Sequence, residues 1–134
     1  MSTSSSDRVI DDSILNSIKK LLGLSPDYPA FDQDVAIYIN TAFSNLNQIG
    51  VGPDEGFQIT GPSETWAEFL DPSGLSNLQA VKTYVYITVK KIFDPPGASN
   101  HLAALDAVLE EITWRISTRR EGVKNEYIER LDGR

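Results

Sequence analysis

Cysteine is absent from this chain, histidine and methionine occur once each, and tryptophan occurs twice. Without thiols there is no disulfide framework, no cysteine-ligated zinc, no thiolate nucleophile and no CxxC redox pair. The single imidazole, His101, excludes histidine metal clusters and HExxH sites, and a Ser/His/Asp triad would have to be built around it. Lysine and arginine are missing between Lys20 and Lys82, a stretch in which Asp27, Asp32, Asp34, Asp54, Glu55, Glu64, Glu68 and Asp71 supply 8 negative charges. No apolar run approaches the ~18 residues that a membrane span needs. The Ser/Thr-rich segment from Met1 to Asp7 has neither the basic nor the apolar region of a secretory signal. The expectation is a protein made inside the cell, neither exported by that route nor spanning a membrane.

What is present suits one globular unit. The chain has 134 residues, 40% of them hydrophobic and 23% charged, with a formal net charge of −7. A chain of this length buries enough apolar surface to fold without a metal or disulfide staple. Nucleic-acid binding draws most of its affinity from clustered cations that neutralise phosphates, so the anionic, cation-free middle argues against a duplex-gripping face there. Towards the end, Arg115, Arg119, Arg120, Lys124, Arg130 and Arg134 alternate with Glu121, Glu126, Glu129 and Asp132, the pattern of a solvated helical face.

Periodicity predicts an all-α fold, a small bundle of four main helices plus a short one, with a long Gly/Pro-rich loop between helices 2 and 3. Ile10, Ile14, Ile18, Leu21 and Leu22 recur at steps of 3 and 4 behind Asp11 and Asp12, which can cap, and Gly23 follows as a stop. After a loop containing Pro26 and Pro29, Asp32 can cap a second helix carrying Val35, Ile39, Ala42, Leu46 and Ile49, ended by Gly50. Residues 50–62 hold four glycines and two prolines, a breaker density that forms a loop, with room for a short hairpin through Phe57 to Thr60. Ser63 or Thr65 starts a short helix presenting Trp66 and Phe69, Thr65 and Glu68 having capping-box spacing, and a turn at Asp71 to Gly74 closes it. The stretch from Leu75 to Phe93 is rich in strand-favouring residues, but Leu78, Val81, Val85, Val89 and Ile92 follow helical steps, which predicts a buried central helix. Asp94-Pro95-Pro96-Gly97 ends it. A last helix starts near Ser99 with Leu102, Leu105, Val108 or Leu109, Ile112 and Ile116 as its inner stripe, and breaks at Gly122. The expected organisation is a flexible N-terminus over 1–9, a helical domain over 10–121 and a tail over 122–134 that orders on a partner.

Little catalytic equipment is visible, and no enzymatic activity, metal or cofactor is expected. His101 suits a helix start, beside Ser99 and Asn100. Glu110 and Glu111 are adjacent on a helix and diverge by roughly 100°, which makes them poor partners for two-carboxylate chemistry. The GVGPDEG run lacks GxGxxG spacing and a Walker lysine. Trp66, Phe69 and Trp114 either pack within the subunit, Trp114 at a helix seam, or anchor a partner. Tyr127, Ile128 and Leu131 place apolar groups in a charged tail with little domain left to cover them, which points to a segment ordered by another chain.

The order KKLLGL, FDQDVAIYIN, a Gly-rich loop, then YVYITVKKIFDPPGASNHLAALDAVLEEITWRI resembles the head-to-tail connector, or adaptor, proteins of long-tailed bacteriophages. The resemblance covers about residues 10–120, and its most specific parts are Lys90 to Pro96 and Glu110 to Arg115. It implies a structural virion protein of the neck between capsid and tail, made in the host cytoplasm. Roughly a dozen copies would close into a ring beneath the portal through a heterologous interface. The ring would extend the DNA channel, pass DNA without specific binding, and receive a stopper or tail-terminator protein. On this reading the loop with Asp54, Glu55, Phe57 and Gln58 faces the channel or the next subunit. Trp66, Phe69, Trp114, Arg115, Arg119 and Arg120 serve packing or inter-subunit contact, and the tail with Tyr127, Ile128 and Leu131 binds the portal. The main alternative is a generic helical interaction module without ring assembly. A helix-turn-helix nucleic-acid binder or an enzyme with carboxylates gathered from distant helices fits the charge pattern and residue inventory less well.

Overall fold

Five helices are seen in a computed structural model of the chain, which describes residues 12–70 and 77–131, with side chains described up to residue 117. They are α1 (Ile14–Leu21), α2 (Asp32–Gln48), the single-turn α3 (Trp66–Phe69), α4 (Leu78–Phe93) and α5 (Ser99–Leu131), with a 3-10 turn at Pro29–Phe31 leading into α2. No strand occurs among the described residues; the one β-bridge joins Ser13 to Thr65.

The all-α expectation holds, and the helix boundaries follow local chemistry. Helix α1 starts later than the aspartates suggested: Ser13 is its N-cap, accepting from the Asn16 amide at 3.1 Å. Asp12 instead lies in the lead-in, where its carbonyl accepts from Trp66 N. Ile10 and Asp11 lie outside the described residues. Gly23, with φ +83°, stops the helix as expected, a left-handed conformation that costs glycine nothing. Asp32 is not a cap but the first residue of α2, because the preceding 3-10 turn already supplies a helical approach; its carboxylate turns to Lys19.

Helix α4 is the buried centre, as its periodicity predicted. Val81, Val85 and Val89 are excluded from solvent, with Leu78, Tyr84 and Ile87 close to it. Helical context overrides the strand preference of these residues because the apolar positions repeat every three or four, which puts them on one face. Ile92 departs from the expectation and is exposed; Phe93 takes the inward place, edge-on to Phe31 at 5.2 Å between ring centroids. Helix α2 packs most extensively against α4, α1 lies across both, and α5 packs principally on α4. Lys91 of α4 and Asp106 of α5 form an ion pair that ties the last two helices together. On α5, Ile112 and Ile116 are buried and Leu109 is half-buried, while Val108 is exposed, which resolves the choice between the last two in favour of Leu109. The break expected at Gly122 does not occur: α5 continues to Leu131.

The segment between α2 and α3 is a long irregular loop, as its glycines and prolines dictate. Gly52 sits at φ +86°, and a Cβ there would come within 2.5 Å of the Phe69 ring, so both its backbone and its packing require glycine. The hairpin considered through Phe57 to Thr60 is absent. Ile59 pairs with a side chain instead: its N–H donates to Asn40 Oδ1 at 2.7 Å and its carbonyl accepts from Asn40 Nδ2 at 3.0 Å. This amide replaces a neighbouring strand and anchors the loop on α2.

Candidate assembly surface

The loop is held in shape by three sets of polar contacts. Asn47 Nδ2 donates to the Pro53 carbonyl at 2.9 Å, and Gly56 N donates to the same carbonyl at 2.9 Å, which closes a turn with Asp54 and Glu55 at its exposed tip. Asn40 holds Ile59 as described. Glu64 then accepts from Thr60 N at 3.0 Å, Thr60 Oγ1 at 2.9 Å and Gly61 N at 3.4 Å. Partial burial works against the Glu64 carboxylate, but the hydrogen bonds from Thr60 and Gly61 outweigh it and hold its pKa below the ordinary glutamate value.

Between α2 and this loop lies an open groove of about 400 Å³. Its lining is mainly polar, from Asn40, Ser44, Asn47, Glu55 and Gln58, over a floor where the buried Phe43 meets Phe57 edge-on at 5.7 Å between centroids. Asp54 and Glu55 have no cation within ion-pair distance among the described residues.

The two tryptophans have opposite surroundings. Trp66 is wholly buried, its indole N–H donating to Ser17 Oγ at 2.9 Å, and Phe69 stacks on Phe43 at 4.2 Å between centroids. Both belong to the subunit's own core and offer no surface to a neighbour. The Thr65–Glu68 capping box that starts their helix forms as its spacing predicted. Trp114 does not lie at a helix seam: it is 68% exposed, because Ile112 and Ile116 occupy the inward side of α5. Beside it, Arg115 pairs with Glu111 on its own helix at 2.7 Å. Arg119, Arg120, Tyr127, Ile128 and Leu131 fall on the helical backbone of α5, where side chains are not described, and the turn at Asp71 to Gly74 lies outside the described residues.

The remaining candidates do not converge on a reaction centre. His101 is exposed in the first turn of α5, in keeping with its predicted place at a helix start. Glu110 and Glu111 are both exposed. Among the described residues no three His, Cys, Asp or Glu side chains gather as a metal site, and no helix is long and apolar enough to cross a membrane. Sequence reasoning missed the buried Lys19 and the anchoring role of Asn40. The first was hidden in an ordinary Lys19-Lys20 pair, and the second has no sequence signature, since its partner lies 19 residues away.

Residues 14–123 match the family model described as phage connector protein. No curated protein and no solved structure matches the chain.

Proposed function

The chain belongs to the phage connector protein family, a structural component of the phage virion, and on that footing we propose that it joins head to tail as a ring beneath the portal. The ring of about a dozen copies extends the DNA channel and gives the stopper or tail-terminator protein its platform. The observation that carries this reading is the family match, which spans α1 through most of α5.

Three features support it. The described acids outnumber the available cations: Lys19, Lys90, Lys91 and Arg115 are paired within the chain, while Asp54 and Glu55 at the loop tip have no such partner. An anionic lining repels DNA phosphates and leaves no counterion-releasing contacts, so the duplex slides instead of sticking. The exposed Trp114 on α5 suits protein contact, since tryptophan is a frequent interface anchor. Finally, α5 extends to Leu131, well past the buried Ile112 and Ile116, and its end carries Tyr127, Ile128 and Leu131, which we assign to the portal.

Truncation before Glu121 tests the last assignment. The shortened chain is expected to keep the helical spectrum of the domain and lose co-purification with the portal; retained portal binding overturns the assignment. Reversing charge at Asp54 and Glu55 tests the channel lining, for which slowed DNA ejection is the expected result and unaltered ejection the contrary one.

A further inference from the structure

A subunit that joins two structures needs a docking surface at each of two opposite ends, and the helix directions show where those ends lie. Helices α2 and α4 run antiparallel, since Phe31 before the start of α2 meets Phe93 at the end of α4. Helix α5 turns back after Asp94-Pro95-Pro96-Gly97 and runs along α4, held by the Lys91–Asp106 ion pair. With 33 residues against the 16 of α4, its end passes the start of that helix by roughly 20 Å at 1.5 Å per residue. The segment assigned above to the portal therefore leaves from one end of the bundle. The end of α1, the start of α2, the end of α4 and the start of α5 make up the other.

Exposed apolar groups gather at this second end. Of the seven large apolar side chains exposed among the described residues, four are there: Leu21, Tyr28, Phe31 and Ile92. Tyr28, 50% exposed, stands edge-on to Phe31 at 5.9 Å between ring centroids. Most charges nearby are spent on one another, Lys19 with Asp32, Lys90 with Asp94 and Lys91 with Asp106, so covering this end would strand few lone ions. Lys20, Asp27 and Asp34 are exposed and have no ion-pair partner among the described residues. Asp27 adjoins Tyr28 and Asp34 follows Phe31 by three residues, so acids border the aromatic pair. The pair is also held in place before anything binds. The wholly buried Lys19 donates to the carbonyls of Pro26 and Tyr28, and Pro29 opens the 3-10 turn that ends in Phe31. Exposed aromatic groups on a fixed backbone, with paired charges around them, have the composition of an interface centre and lose little freedom on docking.

We propose that this end, centred on Tyr28 and Phe31 and including Ile92, docks the protein on the tail side of the connector. The partner's matching surface is apolar, with lysine or arginine at its edge facing Asp27 and Asp34. This rests on the head-to-tail reading and deepens it by naming the surface for the second partner. A second copy of the chain is not the occupant, because neighbours in a ring meet along the flanks of the bundle and this surface lies at its end, opposite the segment assigned to the portal.

The test supplies variants in trans to phage whose own reading frame carries an early stop. It reads two quantities, the amount of this protein on purified heads and the fraction of heads joined to tails. Tyr28→Glu combined with Ile92→Glu, both at exposed side chains, is expected to keep the parental amount on heads and to lower the joined fraction tenfold or more. Parental joining overturns the proposal. Loss of the protein from heads, with the melting temperature of the purified variant unchanged, also overturns it, because the surface then serves the ring or the portal. Should the double variant melt below the parent, Tyr28→Ser decides, since it leaves the carbonyl held by Lys19 in place. Asp27→Lys with Asp34→Lys tests the edge alone: a threefold or greater drop in joining at parental head occupancy is expected, and unaltered joining overturns the basic partner edge. Normal tailed particles from the unsupplemented stop phage would instead overturn the head-to-tail reading itself.

Discussion

Lys19 Nζ lies 2.6 Å from Asp32 Oδ1, with the lysine side chain wholly excluded from solvent and the aspartate 30% exposed. The same ammonium donates to the carbonyls of Pro26 at 3.2 Å and Tyr28 at 2.9 Å, which uses two of its three protons. Asp32 Oδ1 receives no aligned hydrogen bond, and the contact is one of charge with charge. The cluster clamps the Pro26–Tyr28 loop between the end of α1 and the start of α2.

Lys19→Met is therefore expected to destabilise the domain by about 3 kcal/mol, because it leaves a carboxylate and two carbonyls without their cation. The neighbouring Lys20→Met, at an exposed position, should stay within about 0.5 kcal/mol of the parent. Urea denaturation of the two variants checks the contrast, and equal midpoints would remove the clamp.

The two tryptophans give a second contrast. Trp66→Ala opens a cavity in the centre of the core and breaks the bond to Ser17 Oγ, with an expected cost of about 3–5 kcal/mol. Trp114→Ala should leave the stability of the isolated subunit unchanged within about 0.5 kcal/mol. Thermal melts of both variants separate a core residue from a surface anchor.

This pair also marks how far the sequence could be read. The capping box of Thr65 and Glu68, the helical steps of Val81, Val85 and Val89 and the Asp94-Pro95 stop are local signals, and local signals specify helices. Which side of α5 faces inward follows from packing on α4, and Trp114 sits two residues from the buried Ile112, so its exposure depends on a rotation that spacing alone leaves open. The run from Val35 to Pro53 carries neither acid nor base, although it lies in a middle stretch that its flanking acids make anionic. Its meaning as a surface needed the fold, because α2 turns half of that run into the core. Lys19 was illegible for the opposite reason, since its acceptors come from a loop and a second helix.

The loop glycines differ in what they tolerate. At Gly52, alanine combines a left-handed backbone with a Cβ 2.5 Å from the Phe69 ring, and a loss of about 2–4 kcal/mol is expected. At Gly23, where φ is +83° but no atom lies within 4 Å of the added methyl, only the backbone cost of about 1–2 kcal/mol applies. Denaturation midpoints of the two alanine variants should fall in that order.

The Glu64 clasp makes the loop sensitive to acid. Because the folded state holds this carboxylate below its ordinary pKa of 4.5, the stability it contributes is fully present above that value. It is lost as the pH falls through the lower folded value. NMR titration should show Glu64 protonating below the ordinary glutamate range, with the Thr60 and Gly61 amide resonances moving in step. Glu64→Gln should abolish that coupled movement, and its persistence would place the titrating group elsewhere.

The central claim is that this chain connects head to tail, and electron microscopy of particles made when its reading frame carries an early stop tests it most directly. The account predicts filled or DNA-leaking heads and free tails that fail to join, restored when the intact protein is supplied in trans. Normal tailed virions in its absence would contradict it.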